Sequence, residues 1–213
     1  FTHLSARVPG PDHHFLINPY GLLFHEITAS SLVKVDKNGE VVESGSVSRV
    51  NPAGFTIHSA VHMGREDAGA VMHLHAPDGV AVSAHRDGLL PLSQTAMLCL
   101  DHLSYHDYEG VALNLDERER LIRDLGDKSM MLLRNHGVLT AGKDVPVTFT
   151  YLYFLMKACE IQVRALACGP TYLPSEQAIA TTAEQSQQLG MASALTWPAL
   201  VRLLNSKNPG YGV

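Results

Sequence analysis

The segment Ala68-Gly69-Ala70-Val71-Met72-His73-Leu74-His75-Ala76-Pro77 decides the fold of this chain. It is apolar and contains no aspartate, glutamate, lysine or arginine, which predicts a buried β-strand. Because side chains alternate between the two faces of a strand, Val71, His73 and His75 should point to the same face. Two imidazoles two strand residues apart, roughly 6–7 Å along the strand, can converge on a single ion.

A second apolar segment has the same character. Residues 129–134 predict another buried strand, and Asn135-His136-Gly137 follows as a tight turn that ends it. The glycine after His136 would let the backbone approach a ligand closely. Three histidines from two strand ends therefore predict an open metal site with three nitrogen ligands and a solvent position.

A simpler interpretation of these histidines stays open. The chain has 12 histidines, so one His-x-His pair can arise by chance, and a buried histidine is usually a hydrogen-bonded core residue. Two features favour the metal site: an unpaired imidazole is costly to bury in an apolar strand, and a third histidine ends a similar strand. The spacing is still a looser signal than paired Cys-x-x-Cys motifs.

Length and composition indicate one globular domain over residues 1–213. Hydrophobic residues make up 46% of the chain and charged residues 17%, which is typical of a protein with a sizeable core. The net charge of −5 and the lack of a lysine- or arginine-rich run argue against a nucleic-acid partner. The apolar segments are too short to span a membrane, so we expect no membrane partner.

The cysteines and the first residues bear on the cellular compartment. Cys99, Cys159 and Cys168 are odd in number, show no metal-type spacing and lie in apolar contexts, which predicts reduced, buried thiols in a cytoplasmic protein. No signal peptide is recognisable in the residues given. Because the chain opens on Phe1 within a strand-like segment, we expect an upstream segment to be missing.

The remaining elements alternate irregularly between strand and helix. Lys37-Asn38-Gly39 is an Asn-Gly turn that predicts a hairpin. No Gly-x-Gly-x-x-Gly or Walker-type loop occurs, which argues against a nucleotide site. The pattern predicts a mixed sheet covered by helices rather than a strict βαβ repeat. The predicted strands are 1–8, 15–18, 32–36, 40–43, 68–77, 129–134 and 138–142; a helical turn is predicted at 28–32, helices at 52–65, 78–85, 116–125, 145–167 and within 181–205, and a segment of undecided type around Met97.

These residues resemble the class II aldolase/adducin superfamily over essentially the whole chain. The match rests on the histidine motifs just described and on a series of further blocks, and it is closer to the adducin head domain than to the sugar-phosphate aldolases. The matching blocks are 2–7, 18–23, 26–28, 53–60, 65–71, 77–84, 88–93, 105–108, 134–137 and 158–164.

The resemblance implies an α/β fold with three α/β/α layers around a central mixed, mostly antiparallel sheet. It also implies a homotetramer with sites near the subunit interfaces, and a zinc ion held by His73, His75 and His136. Three imidazoles would suit nickel, cobalt or copper as well as zinc.

The chain departs from the aldolase pattern where the aldolases act on phosphorylated sugars. Those enzymes carry an acid/base glutamate four residues before the position of His58, and this chain has Gly54 there. Pro52 and Ala53 stand where two serines hold the substrate phosphate, and His3 stands where an asparagine does so. The resemblance therefore implies a small, non-phosphorylated hydroxy-carbonyl substrate, since glycine cannot move a proton and proline and alanine lack a hydroxyl.

A replacement base must come from elsewhere in the chain. Each candidate also has a structural interpretation, such as a backbone hydrogen bond for Glu26 near the turn at Thr28 or a core position for Tyr105. Glu160 more simply pairs with Arg164 one helical turn on. The candidates are His25, Glu26 and Tyr105, together with His106 and with Tyr211 from a neighbouring subunit.

Two functions from different classes follow. The first is a zinc-dependent lyase, or an epimerase or isomerase, that polarises the carbonyl of its substrate at the three-histidine site. The second is an adducin-like, non-catalytic binding or scaffolding module whose metal is structural or vestigial. The enzyme is favoured because an open three-histidine site is the geometry that catalytic zinc uses.

Overall fold

A single eight-stranded sheet forms the centre of the computed structural model, which describes residues 2–44 and 49–213. Its strand order is β4-β3-β2-β1-β5-β8-β7-β6, so the predicted histidine strand, β5, lies near the middle. The strands are β1 His3–Arg7, β2 Phe15–Ile17, β3 Val33–Val35, β4 Val41–Glu43, β5 Ala70–Leu74, β6 Leu103–His106, β7 Met130–Leu133 and β8 Gly137–Gly142.

The sheet is mixed and mostly antiparallel, as the resemblance implies. Among the strands in the described part of the chain, only β6 and β7 are paired in parallel, whereas β5 is antiparallel to both β1 and β8. In that register His3 lies opposite His73 on one side, and Leu139 lies opposite His73 on the other. Residues far apart in the chain therefore meet around His73.

Within the described residues, seven α-helices accompany the sheet. Pro52, Pro77 and Pro146 each lie in the first turn of their helix, where the missing N–H of proline costs no hydrogen bond. The helices are α1 Pro52–Gly64, α2 Pro77–Ala84, α3 Gln94–Leu100, α4 Glu117–Leu125, α5 Val145–Ala167, α6 Glu176–Ser186 and α7 Ser193–Lys207; 3-10 turns occur at Phe24–Glu26, Ala29–Ser31, Leu189–Ala192 and Pro209–Gly212.

The core is split between the two faces of the sheet. On one face, α1 and α4 pack against Val71 of β5 and neighbouring strand residues. On the other face, α2, α3 and α5 pack against Met72 and the buried side of β7 and β8. The predicted alternation along β5 and the three-layer α/β/α fold are thus both confirmed.

Most predicted elements occur within a few residues of their expected positions. The hairpin forms between β3 and β4, with Gly39 at a φ of 88° in its turn. The undecided segment around Met97 is helical, and the tail forms two helices, α6 and α7. Phe1 of the predicted first strand lies outside the described residues.

The cysteine prediction is partly wrong. Cys99 and Cys159 are free and buried, and burial raises the pKa of each thiol to about 12. Cys168 is free but exposed, because it is the C-cap residue at the end of α5. Among the described residues, the helices include none long and apolar enough to cross a membrane.

Candidate metal centre

Strand β5 positions the first two histidines of the site. His73 is its penultimate residue and is 2% exposed, whereas His75 lies just beyond the end of the strand and is exposed. The two side chains point to the same face of the sheet, and their Nε2 atoms are 2.8 Å apart. Helix α2 begins two residues after His75, so its N-terminus lies beside the histidines.

The turn between β7 and β8 supplies His136. Asn135 has a φ of 57°, a left-handed conformation that asparagine tolerates, and the His136 N–H donates to the Leu133 carbonyl. A Cβ on Gly137 would collide with the carbonyl oxygen of Leu74. The glycine therefore allows β8 to pair closely with β5, which brings His136 to His73 and His75. This role differs from the one that the sequence suggests, in which the glycine lets the backbone approach a ligand.

The three imidazoles converge. The ring centroids are 4.6 Å apart for His73 and His75, 4.8 Å for His73 and His136, and 4.7 Å for His75 and His136. One ligand atom from each residue lies within 4.8 Å of the others. We call His73, His75 and His136 the histidine triad; within residues 2–44 and 49–213, no further histidine, cysteine, aspartate or glutamate joins the cluster.

The hydrogen bonding of His73 fits a metal ligand. Its Nδ1 lies 3.0 Å from the carbonyl oxygen of Val138, which can only accept, so Nδ1 carries the proton and Nε2 presents a lone pair. That lone pair faces Nε2 of His75, and two bare ring nitrogens at this distance repel unless a proton or a cation lies between them. The donor set therefore suits a divalent cation that prefers imidazole.

The electrostatics also favour the neutral imidazoles that metals bind. Burial, and then the neighbouring histidines, lower the pKa of His73 well below its usual value. Burial lowers the pKa of His136 to about 4, with a smaller contribution from His75. The pKa of the exposed His75 is lowered too, chiefly by desolvation.

A second group of histidines lies deeper in the same layer. Ser5 on β1 is 2.6 Å from Nδ1 of His58 and 2.7 Å from Nε2 of His62, and both histidines belong to α1. Nδ1 of His62 lies 3.3 Å from the carbonyl oxygen of Ala68, and the ring of His62 stacks on Phe15. We call Ser5, His58 and His62 the inner histidine network.

His3 lies between the two groups. Its ring stacks on His73, with centroids 6.5 Å apart, and is perpendicular to His58 at 5.9 Å. A Cβ at Gly54 would lie only 2.7 Å from Nδ1 and Cε1 of His3, so the imidazole fills the space into which a side chain at position 54 would project. His3 is 5% exposed, and burial lowers its pKa to about 4.

The catalytic candidates His25 and Glu26 lie in an exposed 3-10 turn. Glu26 accepts a hydrogen bond from the Leu23 N–H at 2.7 Å, so its carboxylate binds the backbone of its own turn rather than the backbone near Thr28. The carbonyl of His25 is 3.4 Å from the side-chain amide of Asn208. These contacts do not bring either residue to the triad, and their catalytic role stays a prediction.

Tyr105 and His106 lie at the end of β6. The hydroxyl of Tyr105 accepts from the Leu89 N–H at 3.1 Å, and the guanidinium of Arg134 covers its ring at 4.4 Å. His106 is buried, with Nδ1 2.7 Å from Asp124 and Nε2 3.5 Å from Glu117. Burial raises the pKa of the Glu117 carboxyl.

Two further predicted residues lie on the surface. Tyr211 donates to Asn205 at 2.9 Å in the C-terminal segment of its own chain. Glu160 pairs with Arg164 at 2.6 Å, as predicted, and with Lys157 at 2.7 Å.

Sequence reasoning missed the inner histidine network and the seat of His3 on Gly54. The relevant pairs are far apart in the chain, and no periodicity within α1 distinguishes His58 or His62 from other buried residues. The sequence does contain one indication of the contact between His3 and Gly54. Compared with the aldolase pattern, position 3 gains a larger side chain and position 54 loses its side chain, so the two changes are complementary in size.

Known proteins resemble this chain in sequence and in fold. The family model described as "Class II Aldolase and Adducin N-terminal domain" matches residues 1–163. A crystal structure of an aldolase II superfamily protein from Pseudomonas syringae is 50% identical, with a TM-score of 0.95 over 99% of this chain and 86% of that one. An L-fuculose 1-phosphate aldolase from Glaciozyma antarctica is 29% identical, with a TM-score of 0.86 over 100% of this chain and 83% of that one. Alpha-adducin of Rattus norvegicus is 48% identical over 81% of this chain, which spans 24% of that protein.

Proposed function

The chain belongs to the class II aldolase and adducin N-terminal domain family, and we propose that it is a metal-dependent lyase of the aldolase type. Its substrate is a small, non-phosphorylated hydroxy-carbonyl compound. The observation that carries the proposal is the convergence of three neutral imidazoles with one of them, His75, exposed. Such a site leaves a bound ion accessible to substrate, whereas structural zinc sites are closed by a fourth protein ligand.

The protein residues hold and orient the ion, which we propose to be zinc. When bound, it would act as a Lewis acid that polarises a substrate carbonyl. The Val138 carbonyl fixes the tautomer of His73, so that its Nε2 stays available as a ligand. The buried side of the triad excludes water, and the exposed His75 marks the side from which substrate enters.

The N-terminus of α1 supports a substrate without phosphate. Helix N-termini bind anions through free N–H groups, but Pro52 has none and the Ala53 N–H already donates to the side chain of Asn51 at 3.1 Å. Pro52 and Ala53 also lack the hydroxyls that the resemblance assigns to phosphate binding in the aldolases. This helix end therefore offers a phosphate little to bind.

The proton-transfer group of the reaction is proposed separately from the metal. His25, Glu26 and Tyr105 are retained as candidates, and the conservative variants His25→Asn, Glu26→Gln and Tyr105→Phe test them one at a time. Loss of turnover with metal content unchanged would support a candidate. Turnover equal to wild type would remove it.

Metal analysis combined with a substrate screen tests the function. We expect one zinc per chain, and aldehyde release from non-phosphorylated hydroxy-carbonyl compounds but not from their phosphorylated counterparts. Chelation should abolish turnover and zinc should restore it, while His75→Ala should have neither metal nor turnover. Turnover that survives chelation would contradict the proposal.

The 48% identity to alpha-adducin favours a second candidate function, a non-catalytic binding or scaffolding module. In that case the ion would be structural or vestigial. A metal whose removal lowers the Tm by many degrees, in a protein inactive on every compound of the screen, would favour this function. A Tm lowered by only a few degrees, with loss of turnover, would favour the enzyme.

Assembly and location complete the proposal. We propose a cytoplasmic homotetramer in which residues 1–213 of each chain form one domain. Sedimentation velocity should give a single species of four chains, and limited proteolysis should release no separately folded fragment. A monomer in sedimentation would contradict the assembly.

A further inference from the structure

His3 is a buried histidine without a visible structural reason for its polarity. Within the described residues, neither Nδ1 nor Nε2 of His3 has a protein hydrogen-bond partner, although the side chain is 5% exposed. Leaving a buried donor or acceptor unpaired destabilises the folded state, so such groups are uncommon in native proteins. An apolar ring would fill the space against Gly54 without that cost.

The hydrogen bonds of the inner histidine network determine which ring nitrogen of His58 lacks a hydrogen-bond partner. The Ala68 carbonyl can only accept, so Nδ1 of His62 is the donor and Nε2 of His62 is an acceptor. The Ser5 hydroxyl donates to that nitrogen and must then accept from Nδ1 of His58. Nε2 of His58 consequently carries an unprotonated lone pair. In the described structure this nitrogen is fully buried and has no hydrogen-bond partner.

His3 can supply the hydrogen-bond donor that Nε2 of His58 lacks. The His58 ring packs perpendicular to His3 at 5.9 Å, and His3 has an N–H in either neutral tautomer. The His3 ring also stacks on the metal ligand His73, with centroids 6.5 Å apart. A ring oriented toward His58 by one nitrogen keeps its other nitrogen unpaired, in a side chain that contacts the triad through His73.

We infer that His3, in place of His25, Glu26 or Tyr105, is the proton-transfer group of the proposed reaction, oriented by His58 as a positioning residue. The inference rests on the function proposed above. In the step, a C–H bond next to the substrate carbonyl breaks and an N–H bond forms on the free nitrogen of His3. The electron pair of the C–H bond moves into the carbonyl system to give an enediolate, and the reverse step returns the proton to carbon.

Solvent exchange into dihydroxyacetone tests this role without requiring cleavage. The zinc-loaded protein is incubated with dihydroxyacetone in deuterium oxide, and deuterium incorporation at carbon is followed by NMR beside metal content and Tm. We expect His3→Ala and His3→Gln to exchange at least about 100-fold more slowly than wild type with one zinc per chain retained, since acid–base groups contribute 10²–10⁴-fold. His13→Asn, at an exposed histidine outside both groups, is the matched control and should exchange at the wild-type rate.

A second substitution separates the proton-transfer role from simple packing. Gly54→Glu alone collides with the His3 ring, but in a His3→Ala background it places a carboxylate in the same space. We expect this double variant to recover at least tenfold of the exchange lost in His3→Ala. Recovery by a different base supports proton transfer, because a residue that only fills space would not be replaced by a charged one.

The positioning role of His58 has its own test. His58→Gln keeps an acceptor and should exchange within about tenfold of wild type, whereas His58→Leu should lose exchange to the same extent as His3→Ala. Both should retain zinc. Exchange in His58→Leu equal to wild type would overturn the positioning role.

The outcomes distinguish this inference from the proposed function. If zinc-loaded wild type shows no exchange, both fail. If wild type exchanges and His3→Ala exchanges equally well, His3 is not the proton-transfer group and the proposed function stands. If His3→Ala loses its zinc together with exchange, the residue supports the metal ligands and the inference is wrong.

Discussion

The histidine triad and the inner histidine network are both built from imidazoles, yet they are constructed in opposite ways. His75 of the triad is exposed and its Nε2 faces another ring nitrogen, whereas His58 of the network is fully buried and its Nδ1 is held by Ser5. The triad turns the Nε2 atoms of His73 and His75 toward each other, 2.8 Å apart, at the end of β5. The network satisfies most of its ring nitrogens inside the protein. Residue type alone therefore does not identify a metal ligand; the partner of each ring nitrogen does.

The largest expected effect separates the two groups by metal binding. His75→Ala should reduce zinc from one ion per chain to none and weaken binding by more than about 100-fold, since loss of a group that merely supports a ligand already costs 10–100-fold. The Tm of the metal-free protein should not change, because His75 is exposed. Isothermal titration and elemental analysis check this, and a variant with full zinc content would contradict it.

A substitution in the inner histidine network should instead reduce stability and leave zinc binding unchanged. His58→Ala should lower the free energy of unfolding by about 3 kcal/mol, because it opens a cavity in a fully buried site and removes a partner of Ser5. Zinc content should stay at one per chain at low temperature. Urea unfolding of the metal-free protein measures the change, and a loss below about 1 kcal/mol would show that the network is dispensable for stability.

The pH dependence of stability should reflect the network as well. Burial lowers the pKa of His62 from 6.5 to about 4. Between these two pH values His62 is therefore protonated in the unfolded chain but not in the folded chain. The free energy of unfolding should therefore fall as the pH drops from about 6.5 to about 4, and His62 accounts for about 2 kcal/mol of that fall by pH 5.

His62→Gln is the variant that isolates this contribution. Between pH 7 and pH 5 the metal-free variant should lose about 2 kcal/mol less than the metal-free wild type, although it is less stable at pH 7. Both chains keep the triad, so its titration cancels in the comparison. An equal fall in the two proteins would contradict the assignment.

The smallest effect is expected at a histidine outside both groups. His25→Asn changes an exposed side chain whose recorded contact is made by its backbone carbonyl. Zinc content and Tm should match wild type within error. A change in either would mean that His25 contacts the site in an assembly of several chains.

The sequence predicted the triad because its chemistry is local to strand ends. The alternation of β5 placed His73 and His75 on one face, and the turn after β7 supplied His136. The type of the segment around Met97 could not be decided, because seven residues of mixed apolar character fit a strand or a helix equally well.

Contacts between distant residues could not be predicted from pattern. The seat of His3 on Gly54 and the Ser5–His58 hydrogen bond each join β1 to α1 across about 50 residues of chain. Periodicity carries no information on such pairs, since they depend on the order of strands in the sheet. The same holds for Glu26 and Tyr105, whose polar groups bind the backbones of Leu23 and Leu89.

The position of β5 between β1 and β8 has a consequence for how the protein folds. His3 pairs with His73, and His73 with Leu139, so the centre of the sheet forms only when three distant parts of the chain have met. Such non-local pairing is slow, because loop closure must precede any gain from the contacts. Of the three triad histidines, only His73 and His75 are close enough in sequence to bind an ion together in the unfolded chain. His136 joins them when β8 pairs with β5. Zinc should therefore slow unfolding far more than it accelerates folding.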